Sequence, residues 1–153
     1  MRFAVLVIGV VLCSCAVTYK QPQAVAPQPF ASVSASKAEL LRAAKRVLVA
    51  EGYQITNTDD SAGVVSTAPR NLRVTSAQAD CGTTMGLDYL KDNRTSTRVG
   101  FGVVAEDGKL MVRSTIEGEY KPGAIEQNIT LTCVTKGLLE REMLAKITAG
   151  LSR

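Results

Sequence analysis

Four cysteines, a run of arginines and some scattered carboxylates are the residues of this chain that carry chemistry, and histidine is absent. Without histidine there is no Ser-His-Asp or Cys-His relay, and the commonest zinc ligand is missing. Asp80, Asp88, Glu117 and Glu119 are the acids that glycan cleavage would need in pairs, but no spacing in the sequence sets two of them side by side. Asp59 and Asp60 are adjacent, yet they stand between two strand-like stretches, where aspartate ordinarily forms turns. Cys81 to Gly86 is glycine-containing but lacks the Lys-Ser/Thr ending of a phosphate loop. The residues therefore assign no catalytic group, no cofactor and no metal. Arg70, Arg73, Lys91, Arg94 and Arg98 crowd one stretch. Guanidinium groups suit carboxylates and phosphates, so that stretch is a candidate site for an anionic ligand.

Cys13 and Cys15 have a different setting. Met1 and Arg2 make a small positive start, and Phe3 to Leu12 is an apolar run broken only by Gly9. Ten residues span about 15 Å as a helix, against a hydrocarbon core of roughly 30 Å; that is too short for a membrane span and right for a signal h-region. The ending Leu12-Cys13-Ser14-Cys15 resembles the lipobox of bacterial lipoprotein precursors. The resemblance implies a signal peptide over 1–14 and cleavage before Cys15. It also implies a diacylglyceryl thioether on Cys15, with an N-acyl chain such as palmitate. Cys13 is the poorer acceptor because Leu12, not a small residue, precedes it. Several acyl chains exceed the two signals that stable anchoring requires. Ala16 stands where an aspartate commonly retains such proteins in the inner membrane. In a diderm host the implied address is therefore the outer membrane, with the domain facing the periplasm.

Removal of 1–14 leaves 139 residues, enough for one domain and a tether, and lowers the net charge from +4 to +3 because Arg2 goes with it. That balance, without a concentrated basic stripe, is no nucleic-acid signature. Cys81 and Cys133 remain as a pair, and in an exported chain an even remainder reads as a disulfide. Closing a loop of about 52 residues stabilises a fold by about 4 kcal/mol in the chain-entropy account. There is no Cys-x-x-Cys spacing to suggest redox catalysis.

These residues need elements to position them. Residues 15–35, with Pro22, Pro27 and Pro29 among Gln, Ala, Ser and Val, read as a tether, and 36–153 as a single globular domain. Ser36 and Glu39 make a capping box, and Leu40, Leu41, Ala44, Val47 and Leu48 recur at helical spacing, predicting a helix over 37–51 that Gly52 ends. Residues 53–57 and 63–68 read as a hairpin about Asp59-Asp60, and 69–97 is the least regular part. Val99, Phe101, Val103 and Ala105 alternate into Asp107-Gly108 and then Leu110, Val112, Ser114 and Ile116, which is a second hairpin. Gly100 and Gly102 sit on its other face, where a twist, a bulge or a close approach is expected. A strand over 127–134 sets Ile129, Leu131 and Cys133 on one face, and a helix follows at 136–149. The order α-β-β-loop-β-β-β-α predicts an α+β fold, a two-layer sandwich with an antiparallel sheet of about five strands and a helix at each end.

The helix, then Glu51-Gly52-Tyr53-Gln54-Ile55, Asp60 and Gly63-Val64-Val65-Ser66-Thr67, resembles the helix-grip repeat of small envelope lipoproteins of the BamC-like family. Those proteins carry two such domains, whereas this chain has room for one. The resemblance supports fold and compartment. The lipid anchor, the tether, the small disulfide-pinned domain and the missing histidine together point to a non-catalytic binding or assembly accessory module of the cell envelope. Its partner would be an envelope protein, met through an exposed strand edge or the irregular loop. The alternative is a binder of lipopolysaccharide or a peptidoglycan fragment through the arginine-rich stretch.

Overall fold

The computed structural model describes residues 19–23, 28–123 and 128–152. Cys13, Cys15 and the rest of the lipobox lie outside them. No described helix is long and apolar enough to cross a membrane. Two short strands come first, β1 (Tyr19–Lys20) and β2 (Phe30–Ser32). Helix α1 (Lys37–Ala50) starts at a reciprocal cap. Ser36 N–H donates to Glu39 Oε2 at 2.8 Å, and Glu39 N–H donates to Ser36 Oγ at 3.4 Å. Its Leu40, Leu41, Ala43, Ala44 and Leu48 are buried, the face that the helical spacing predicts.

Strands β3 (Ile55–Asp59) and β4 (Val64–Thr67) form the first hairpin, with a register irregularity between Ile55 and Asn57. Gly63 admits no side chain: its φ is +74°, and a Cβ would lie 2.1 Å from the Ala105 carbonyl oxygen. The irregular stretch then contributes four two-residue strands: β5 (Arg70–Asn71), β6 (Ala79–Asp80), β7 (Thr83–Thr84) and β8 (Leu87–Asp88). The β7–β8 turn places Met85 and Gly86 both at positive φ, as a tight two-residue hairpin demands. Two twelve-residue strands follow, β9 (Thr95–Glu106) and β10 (Lys109–Tyr120), in register from end to end about Asp107-Gly108. Then come β11 (Ile129–Thr132), β12 (Val134–Thr135) and helix α2 (Leu138–Ala149).

The main sheet is antiparallel, ordered β11-β10-β9-β4-β3, with β2 also on β10 and β5 also on β9. Val99, Phe101, Val103 and Ala105 of β9, with Leu110, Val112 and Ile116 of β10, point to one face and are buried with the apolar stripes of α1 and α2. Two helices on one face of a largely antiparallel sheet make this an α+β fold. The stretch expected to be a tether is partly sheet. β2 pairs with Lys109–Met111 and β1 with β7. The reason is length: β11 covers only Glu117–Tyr120 of β10, so the far end of that long strand has room for another partner.

Candidate functional site

Cysteine chemistry shapes one corner of the molecule. Cys81 and Cys133 form a disulfide. Val134 pairs with Asp80 and Thr135 with Ala79, so Cys133 falls directly opposite Cys81 at the end of that ladder. The chain leaves the main sheet at Cys133, where the expected single strand over 127–134 splits into β11 and β12. The bridge sits against Gly118, where a Cβ would come within 2.8 Å of Cys133 Sγ and 3.0 Å of Leu131 Cβ. β11's departure leaves the middle of β10 without a strand partner on that side. Glu140 of α2, 2% exposed, fills the place. Its Oε1 accepts from Ser114 N–H at 3.2 Å and Ser114 Oγ at 2.6 Å, and its Oε2 from Thr135 Oγ1 at 2.8 Å. A buried carboxylate with that many donors is a satisfied structural group. Nothing local in the sequence marks Glu140 as buried, because its partners come from the switch between β11 and β12.

The five cations do not form one patch. Arg70 pairs in register with Val99, a buried core position, and its guanidinium lies 4.4 Å from the centre of the Tyr53 ring. Arg98 is on the opposite face of the sheet, bound to Glu117 at 3.3 Å and donating to the Pro69 carbonyl. Arg94 is exposed but engaged: it forks onto Asp92, donates to the Pro122 carbonyl and lies over the Tyr120 ring. The Arg94 hydrogen bond is the main reason that the Asp92 carboxyl is lowered to about 2. The side chains of Arg73 and Lys91 are exposed and make no hydrogen bond or ion pair among the described residues.

The acids are likewise occupied. Asp80 accepts from Gln23 and Gly82 N–H groups, and Asp88 from Ser76 Oγ and Leu90 N–H. Asp59 accepts from Ser61 Oγ and Ala62 N–H, and Asp60 binds Lys45; these hydrogen bonds lower both carboxyls and hold the turn that the sequence predicts. Glu119 alone of the four scattered acids has no side-chain partner among the described residues.

Two features of the sheet remain open. Its outward face has no helix over it among the described residues, and it carries a cross-strand row of Val64, Val104, Met111 and Phe30, the last 60% exposed. Behind that row come Gly102, with nothing within 4 Å of a Cβ, and Gly100, which the Thr67 and Pro69 backbone approaches. The second feature is the outer side of β11, which pairs with nothing among the described residues. At its end, Thr132 and Val134 face Tyr19, Gln21 and Pro22 across a cleft of about 280 Å³.

No protein-family model and no curated protein sequence matches the chain. Solved structures do. One is the crystal structure of a TBP-like protein from Parabacteroides distasonis. It aligns over 83% of this chain and 92% of its own, with a TM-score of 0.51 and 9% identity. At that identity the likeness is one of fold.

Proposed function

We propose that this chain is a bacterial lipoprotein, anchored at the outer membrane through acyl chains on Cys15, whose periplasmic domain is a non-catalytic binding or assembly module for an envelope protein. The lipobox supports the anchor. The observation that carries the binding role is the sheet: among the described residues its β11 edge and outward face are open, while the scattered acids other than Glu119 and most of the cations nearby are tied up in the fold. The five-strand, two-layer core is then a platform rather than a reaction vessel, with no cofactor and no nucleic acid to hold. Crosslinking of the full-length protein in native membranes, with mass spectrometry of what is joined to it, tests this. One stoichiometric envelope protein is the expected result, and no protein partner overturns the reading. Loss of acyl labelling and of membrane retention in Cys15→Ser tests the anchor separately. The anionic-ligand alternative rests on Arg73 and Lys91, the two cations left free; reversing both charges without changing lipopolysaccharide binding removes it.

A further inference from the structure

We infer that the outer edge of β11, unpaired among the described residues, takes up an extended polypeptide segment as an added strand, and that this segment sets a basic side chain beside Thr130. The inference rests on the binding-module reading and names the chemistry of its partner.

The ladder fixes which backbone groups are on offer. Phe101 and Ala105 of β9 turn their N–H groups toward β4 and the hairpin turn, so the alternate residues of β9 face β10. By the same alternation Gly118 and Tyr120 of β10 face β11, and their register partners Leu131 and Ile129 face back. Thr130 and Thr132 are left with N–H and C=O pointing outward. A row of alternating donors and acceptors at strand spacing is complementary to one thing, another extended main chain. Ile-Thr-Leu-Thr has no charge, no proline and no bulge to repel one.

The surroundings select the occupant. Tyr19, Gln21 and Pro22 wall the groove at its Thr132 end, which favours a single extended chain over a second whole domain. Ile129, 43% exposed, and Tyr19, 49% exposed, offer apolar contact to alternate side chains. On the outward face Thr130 is in register with Glu119, whose carboxylate has no side-chain partner among the described residues. A residue added opposite Thr130 lies two strands from Glu119, about 10 Å, a gap that glutamate and lysine or arginine side chains bridge together.

The test titrates the full-length protein with three short capped peptides: one alternating valine and lysine, one alternating valine and glutamate, and the first with N-methyl groups on the amides that would face the edge. The valine–lysine peptide is expected to bind, the glutamate version more weakly, and the N-methyl version not at all. Thr130→Pro removes an outward N–H and no bond to β10, and should weaken the lysine peptide roughly tenfold, the effect of one main-chain hydrogen bond. Glu119→Gln should erase the preference for lysine over glutamate. Absence of binding, or binding indifferent to N-methylation, overturns the inference, and the N-methyl arm decides even where Thr130→Pro disturbs folding. Photocrosslinkers at Thr130 and, separately, at Met111 of the outward face then distinguish the two claims. A partner joined at Met111 and never at Thr130 overturns the edge while the binding module stands; a partner joined at neither overturns both. A Thr130 crosslink that the valine–lysine peptide competes away supports the inference.

Discussion

At one edge of the main sheet, β3 carries a register irregularity and ends in Asp59, with Asp60 tied to Lys45 of α1; at the other, β11 presents four uncharged residues and an unpaired outer side among the described residues. Bulges and charges are the usual means of keeping a sheet edge from recruiting foreign strands, and here they guard one side only. The open side is not the loose side. It stands next to the disulfide, over Gly118, and beside the Glu140 contacts that hold α2 to the sheet. An edge that stays rigid while unpaired meets a partner at lower ordering cost than a mobile one.

The largest effect that bears on this comparison belongs to the guarded side. Gly63→Ala would push a methyl onto the Ala105 carbonyl at 2.1 Å in a backbone region alanine resists. A loss of about 4 kcal/mol is expected in urea unfolding. A loss below about 1 kcal/mol would show that the β3–β4 hairpin does not depend on that close approach.

The double variant Cys81→Ser, Cys133→Ser probes the other side. It should cost about 4 kcal/mol on the chain-entropy account. The regional pattern is the sharper readout: amide exchange should quicken in β6, β11 and β12 and stay unchanged in β3 and β4. Equal acceleration in both regions would mean that the bridge stabilises the whole fold and does not specifically stiffen the open edge. Next in size is Glu140→Ala, which leaves the half-buried Ser114 N–H without its acceptor and should cost about 2–3 kcal/mol. Glu140→Gln, which keeps an acceptor oxygen, should recover most of that.

How much of this was legible beforehand follows from what each signal depends on. The capping box, the apolar stripe of α1 and the strict alternation of Val99 to Ile116 are local patterns, and the structure repeats them as α1, β9 and β10. The cysteine pair was readable once the lipobox resemblance set Cys13 and Cys15 apart, and the structure joins it. Composition misled for Ala16–Ala35: prolines suggested a tether, but β1 and β2 are made of residues too few to show a period, and their pairing is decided by distant strands. The two-residue strands of 69–97 escaped for the same reason, and Met85-Gly86 lacks the asparagine or aspartate that usually marks such a turn. The five cations looked like one site because they are close in sequence. Their separation onto opposite faces is a matter of register, Arg70 opposite Val99 and Asn71 opposite Arg98, which only the folded sheet supplies.

The smallest expected effect tests whether the open edge has its own acid sensitivity. Asp92 holds Arg94, Arg94 lies over Tyr120, and Tyr120 is the register partner of Ile129 at the start of β11. The Arg94 contacts lower the Asp92 carboxyl to about 2, below its ordinary value of 3.8. A depressed pKa means that the folded state favours the ionised form, so the contribution is full above the unfolded value and fades as pH falls from about 4 through about 2. Asp92→Asn removes it at every pH. The melting temperature of the wild type should therefore exceed that of the variant by a constant margin at neutral pH, and the margin should close on acidification to pH 2. Because Arg94 is exposed and Asp92 only half-buried, the margin should be small. Exchange at Ile129 and Leu131, whose N–H groups face β10, is the more telling measurement, since fraying passed on through Tyr120 would quicken them in the variant. Asp60→Asn, by contrast, loosens the Lys45 contact and should quicken β3 alone. Should both substitutions quicken the same amides, the two edges would belong to one cooperative unit, and the openness of β11 would owe nothing to its own supports.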